Sequence, residues 1–269
     1  MLKKIIRKVL RQLKDCIKKL ILKPSQLYYR FKKSKFECNI CGFKTHKFHS
    51  NEWHLYTICP NCGSEVRHRL LWATFEHIDE FSLNKLIKKK SVIHFAPEKI
   101  IRPLLKKSCG NYKTADFFTE GYTYDNIDYN IDISDMDKIN DESFDCIIAC
   151  DVLEHVANDN KAIKEVYRIL KKGGYCIFTV PQRDNLKITY EDALITKPED
   201  RKKAYGQFDH MRIYGEDFIL LLEDSNFKVV VIDENCFTKE IAVRNVLFPP
   251  IGSEIANATN HRKVFIGIK

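Results

Sequence analysis

Glycine is missing where a cofactor-binding chain most often needs it. None occurs between Gly63 and Gly110. That gap includes VIHFAPE (92–98), an apolar strand-like run that turns toward a helical pattern. In dinucleotide-binding α/β domains this turn is glycine-rich. Ala96, Pro97 and Glu98 stand there instead. Long apolar runs are missing too. Lysines interrupt each apolar stretch near the N-terminus, which excludes a membrane-spanning segment and a signal-peptide core there. Acids are scarce at the same end: residues 1–35 carry thirteen Lys/Arg against Asp15 alone, a net of +12. The whole chain is only +9, so the remainder is net −3 and the basic character belongs to an arm. Ten cysteines among 269 residues are too few for a disulfide scaffold. Six of them, Cys16, Cys109, Cys146, Cys150, Cys176 and Cys236, are scattered and read as reduced, which implies a reducing compartment.

Length accommodates one α/β domain with a small accessory module. In the arm, Leu2, Ile5, Ile6, Val9, Leu10, Leu13, Ile17, Leu20 and Ile21 recur at steps of three and four until Pro24. The expectation is a basic amphipathic helix over the 1–35 arm, suited to an anionic membrane surface. Packing on the protein's own body and contact with an RNA backbone stay open as alternatives.

Residues 38–63 read CNICGFKTHKFHSNEWHLYTICPNCG. Two C-x2-C pairs, Cys38/Cys41 and Cys59/Cys62, are the ligand pattern of a closed tetrahedral zinc site, structural rather than catalytic. Gly42 and Gly63 suit the turns that leave each pair. His46, His49, His54 and His68 lie nearby; with four cysteines placed, each reads as a surface or packing histidine. The expected layout is an arm (1–35), a zinc ribbon (36–66), a helical linker (67–90) and a main domain (91–269).

The main domain alternates strand-like and helix-like segments, which predicts a doubly wound sheet. Strands are expected at 91–95, 111–116, a short stretch ending at Asp132, 144–150, 175–180, 227–233 and 262–268. Helices are expected over 98–107, with Pro103 kinking it or delaying its start, and over 158–170.

The run FDCIIACDVLEHVANDNKAIKEVYRILKKGGYCIFTVP (144–181) resembles the fourth-to-fifth-strand region of class I S-adenosylmethionine-dependent methyltransferases. The resemblance extends over about 91–269. It implies a Rossmann-like seven-stranded sheet whose last strand is antiparallel and inserted between the fifth and sixth. It also implies S-adenosylmethionine as cofactor. With the ribbon, the HFAPE turn and a late GQFDHMRIYG block, the chain resembles a narrower group often thought to act on cell-surface glycans. On this resemblance VIHFAPE is the first-strand motif, with His94 at its usual acid and Ala96 and Glu98 at its usual glycines. Asp116 falls where the ribose hydroxyls sit, and Asp132 with Ile133 where adenine is contacted; a turn-capping aspartate is the other reading of Asp132. Asp151 and Val152 follow the fourth strand, where Asp151 would orient the methionine amine or the acceptor. Glu154 and His155 read as support.

Residues 182–215 form a long polar insertion, and such insertions are usually functional. Methyl transfer to a hydroxyl is helped by a base near neutral pKa. His210 is the candidate base, Asp209 its orienting partner, Arg212 a phosphate or carboxylate contact, and Tyr214 a surface for a sugar face. The other reading is that DHMR caps and packs a lid. The acceptor expected is a glycan or lipid-linked glycan at the cytoplasmic face of a membrane; the rivals are an RNA methyltransferase and a domain that has lost the cofactor and only binds.

Overall fold

The computed structural model describes residues 34–50, 55–118, 127–249 and 259–269. The amphipathic arm lies outside the described residues, apart from its last two positions. No helix among those described is long and apolar enough to cross a membrane.

Near the N-terminus, β1 (Phe36–Glu37) and β2 (Lys44–Thr45) form a small hairpin. The helix α1 (Val66–His77) follows, then a short α2 (Leu83–Leu86). The main sheet comprises β3 (Ser91–Phe95), β4 (Asn111–Asp116), β5 (Tyr129–Asn130), β6 (Phe144–Cys150), β7 (Leu170–Thr179), β10 (Lys228–Ile232) and β11 (Val264–Ile268). Its spatial order is β10-β11-β7-β6-β3-β4-β5. Here β11 runs antiparallel to both neighbours, while β7, β6, β3, β4 and β5 are parallel. The sheet and its inserted antiparallel last strand match the sequence expectation.

The central strands are apolar on both faces because helices cover both. One layer is made by α4 (Asp159–Ile169) and α6 (Phe218–Glu223), whose Ala162, Ile163, Val166, Ile169, Phe218 and Leu222 pack with Ile93, Ile147 and Phe178. The helical spacing of the first four is the stripe that the sheet buries. The Asn158 side chain accepts the Lys161 N–H and caps α4. On the other face, Leu70, Leu71, Ala73 and Phe75 of α1 pack with Val92, Ile148 and Ile177, together with Leu105 of α3 (Arg102–Ser108). Pro103 delays the start of α3 rather than kinking it, since a proline is accommodated in the first helical turn.

In the 67–90 stretch, expected as a helical linker, α1 packs into the core of the main sheet. Arg69, fully buried, donates to the carbonyls of Ser64, Thr57, Asn245 and Val246 and lies over the Phe48 ring. These bonds fasten the cysteine module to the chain after α7 (Lys239–Arg244). The 182–215 insertion has structure of its own: β8 (Tyr190–Glu191), α5 (Pro198–Tyr205) and β9 (Arg212–Ile213), with β8 and β9 paired antiparallel.

Candidate active site

Open α/β sheets bind ligands at the carboxyl ends of their parallel strands. Here β3 ends at Phe95, and Ala96 takes a left-handed backbone with φ +44°. That conformation is natural for glycine, and alanine is the smallest side chain that can stand in its place. The Ala96 N–H donates to Ala115 O and ties the turn to β4.

Two acids follow. Glu98 Oε1 lies 3.0 Å from Arg67 Nε and 2.8 Å from His68 Nε2. His68 Nδ1 accepts the Glu65 N–H, so in the neutral ring the proton sits on Nε2 and is donated to Glu98. Asp151, at φ +53° just after β6, accepts the Thr179 hydroxyl at 2.8 Å. Its other oxygen lies 3.0 Å from Arg67 Nε and 3.0 Å from His261 Nε2. Arg67 thus bridges the ends of β3 and β6. Burial alone would raise both carboxyls; His261, Arg67 and Thr179 hold Asp151 well below its usual range, and His68 and Arg67 lower Glu98. Burial also opposes the charge on Arg67, but Asp151 and Glu98 outweigh it and raise its pKa.

On the next strands, Asp116 ends β4. It accepts its neighbour's Phe117 N–H, and no cation pairs with it among the described residues. Burial pushes its pKa up. Asp132 accepts the Ser134 N–H at 2.7 Å and so caps a turn, while Ile133 is buried in the core. Val152 packs beside the same core.

A second group sits past β6, in the turn Leu153–His155. Glu154 is 1% exposed, and its Oε2 has no partner. His210 is 3% exposed, and neither ring nitrogen has a partner. Its ring lies edge-on to His155 at 4.7 Å, and His155 Nδ1 is 3.3 Å from Asp209 Oδ2. The Met211 N–H donates to Glu154 O, which joins the two segments. Burial, then the neighbouring His155, pushes His210 down to about 4. Burial and then Asp151 push Glu154 well above its ordinary value.

Four expectations change. Asp209 does not orient His210: its Oδ2 lies 3.3 Å from His155 Nδ1, and neither His210 nitrogen has a partner. Arg212 does not face an acceptor: at 1% exposure it donates to Leu153 O, Val156 O and Ala157 O and pairs with Glu191. Tyr214 offers no sugar face, because it is buried against Phe218 and its hydroxyl donates to Asp159. Arg212 braces the 153–157 turn, and Tyr214 ties to the first residue of α4. His94 is fully buried within β3, bonded through Nδ1 to the Tyr112 hydroxyl, and burial lowers its pKa to about 4. It lies below the strand tips rather than at them. The sequence pointed to neither Arg67 nor His261, and His68, expected as a surface or packing histidine, is buried against Glu98.

The four cysteines do come together. Their sulfurs lie within 4.8 Å of one another, with Cys38–Cys62 at 3.7 Å and Cys41–Cys59 at 3.8 Å. Thiolates around a tetrahedral zinc with bonds near 2.3 Å are about 3.8 Å apart, so the residues fit that ion.

A profile of the family described as "Methyltransferase domain" matches residues 106–178, from α3 through β7. Those residues match a methyltransferase domain, and they lie within a sheet whose strand order is the one expected of a class I S-adenosylmethionine-dependent methyltransferase fold. A 37.1 kDa protein in transposon TN4556 of Streptomyces fradiae is 35% identical over 94 residues, 35% of this chain. The match spans about a quarter of that relative's length, 27%. Among solved structures, the cyclase SpnF is 11% identical with a TM-score of 0.50, covering 83% of this chain and 86% of its own. An S-adenosylmethionine-dependent methyltransferase from Mesorhizobium loti is 15% identical with a TM-score of 0.47, covering 72% of this chain and 100% of its own. At these identities the likeness is one of fold.

Proposed function

We propose that the protein methylates a hydroxyl oxygen of a glycan or glycan precursor, using the methyltransferase domain to hold S-adenosylmethionine. The cofactor brings a methyl carbon already activated by a sulfonium. What the chain must add is placement of the acceptor and removal of its proton. The observation that carries the oxygen reading is the group Glu154, His155, Asp209 and His210 beside the end of β6. An amine acceptor can be drawn from solution unprotonated, but a hydroxyl needs a proton acceptor close by. His210 is unpartnered and held neutral by burial, which lowers its pKa to about 4; it takes that proton only as the hydroxyl loses it in the transfer, and Asp209 steadies His155 beside it.

Within this reading Asp116 accepts from the ribose hydroxyls, since a carboxylate takes two such bonds. The Ala96 turn admits the methionine part, and Ile133 and Asp132 border the adenine. Asp151 has three partners and about one lone-pair site left, enough for one ammonium hydrogen bond. The cysteine module holds zinc as a brace that sets α1, and with it Arg67, against the cofactor edge. The basic arm is read as resting on an anionic membrane, near lipid-linked acceptors.

The test is transfer from methyl-labelled S-adenosylmethionine to a panel of lipid-linked glycans, nucleotide sugars and RNA, with vesicle co-sedimentation of full-length and Δ1–23 protein. Label recovered as a methyl ether on a sugar supports the reading. Label in RNA alone, with an arm that binds RNA and not vesicles, overturns it.

A further inference from the structure

The unpartnered buried atoms past β6, Glu154 Oε2 and the two His210 nitrogens, have a further use. We infer that Glu154, His155 and His210 form a second metal site, for a divalent first-row transition ion. It is distinct from the four-cysteine cluster. One ligand atom from each residue lies within 4.8 Å of the others. Glu154 and His210 are almost wholly buried, yet Glu154 Oε2 and both His210 nitrogens have no hydrogen-bond partner. Buried polar atoms without partners are uncommon, and one ion would satisfy a Glu154 oxygen and one of the two His210 nitrogens together.

The surroundings are those of a metal site. His155 turns Nδ1 toward Asp209 Oδ2 at 3.3 Å, which leaves Nε2 for the ion; carboxylates commonly orient ligand imidazoles in this way. The buried Arg212 guanidinium holds the turn carrying Glu154 and His155 by the carbonyls of Leu153, Val156 and Ala157. The segment carrying His210 is tied to it by the Met211-to-Glu154 backbone bond. Asp151 and Asp209 add negative charge nearby, which favours a cation.

The donor set gives the class of ion. Two imidazoles and a carboxylate suit manganese, iron, cobalt or zinc, and three protein ligands leave positions open. The cysteine cluster offers four thiolates and no such opening. An open position beside the end of β6 would take an oxygen of the acceptor and lower the pKa of its hydroxyl, the proton passing to Asp209. That use of the ion rests on the methyl-transfer reading; the binding of the ion does not. In this arrangement His210 is a ligand rather than the base.

The experiment is titration of the full chain with Mn2+, a hard ion that thiolates hold poorly, followed by electron paramagnetic resonance and calorimetry. Zinc content and S-adenosylmethionine affinity are measured on the same samples. About one Mn2+ per chain is expected in the wild type. His210→Ala and His155→Ala should each weaken it by about tenfold or more, with the fold intact by circular dichroism. Cys59→Ser should leave the Mn2+ signal in place. His155 is half-exposed, so H155A serves as the second variant if H210A does not fold. No Mn2+ binding, or equal binding in H155A, overturns the site. If S-adenosylmethionine binds and Mn2+ does not, the metal inference fails and the methyl-transfer reading stands. If Mn2+ binds and S-adenosylmethionine does not, the reverse holds.

Discussion

Replacing Arg67 with methionine keeps most of its apolar stem and removes the charge shared by Glu98 and Asp151. Removing one partner of a buried ion pair costs about 3–5 kcal/mol, because the other charge is stranded. Here the stranding is partial. Arg67 keeps 24% of its side chain exposed, Glu98 retains His68, and Asp151 retains Thr179 and His261. Water and these partners bring the expected loss to about 2–3 kcal/mol. Urea unfolding at pH 8 measures it. The pH dependence gives the stronger test. Both carboxyls are depressed in the wild type, so the stability they contribute is present above their unfolded values near 4 and lost as pH falls through the folded ones. Without Arg67 that contribution shrinks. The gap between wild type and R67M should therefore be widest at neutral pH and close as pH drops below about 4. Arg67→Lys should recover part of the loss, since a point charge replaces a fork. A gap under about 1 kcal/mol at pH 8, or one indifferent to pH, would refute the bridging role.

Two further outcomes follow from the same structure. Cys59→Ser should lower zinc from about one ion per chain to none, and should also weaken S-adenosylmethionine binding, because Arg69 links the cysteine module to α1; elemental analysis and calorimetry check both. His94 has a folded pKa near 4 against an ordinary 6.5, so the unfolded chain takes up its proton first and stability falls as pH drops from 6.5 to 4. His94→Gln should remove up to about 3 kcal/mol of that fall, seen as a shallower pH profile of thermal unfolding between those limits.

Ser91–Phe95 and Phe144–Cys150 were legible as nearly continuous apolar runs, whereas NYKTAD (111–116) was placed by the alternation of strand-like and helix-like segments around it. Ser91–Phe95, Asn111–Asp116 and Phe144–Cys150 match their expected bounds. Strand ends carry loops, and there the family resemblance pointed to Asp116, Asp151 and Glu98. It did not point to their partners. Arg67 lies 84 residues before Asp151 and His261 lies 110 after it, and no periodicity encodes a contact at that range. The stretch after Pro181 read as a polar loop because β8 and β9 are two residues each and pair across a gap that holds α5. Arg212 and Tyr214 misled for a related reason. An arginine in a polar segment reads as solvent-facing, whereas here the carbonyls of the 153–157 turn need a donor and draw it inside. The cysteine cluster was the reverse case, since two C-x2-C turns fix their ligands locally.

The most direct test is calorimetric titration of the full chain with S-adenosylmethionine and with its demethylated product. One-to-one binding of both is expected. Asp116→Ala should weaken it by about 1.5–3 kcal/mol, the scale of a hydrogen bond to a charged group. Heats indistinguishable from dilution in the wild type would contradict a working methyltransferase domain. Binding unchanged in D116A would mean that the end of β4 does not hold the ribose.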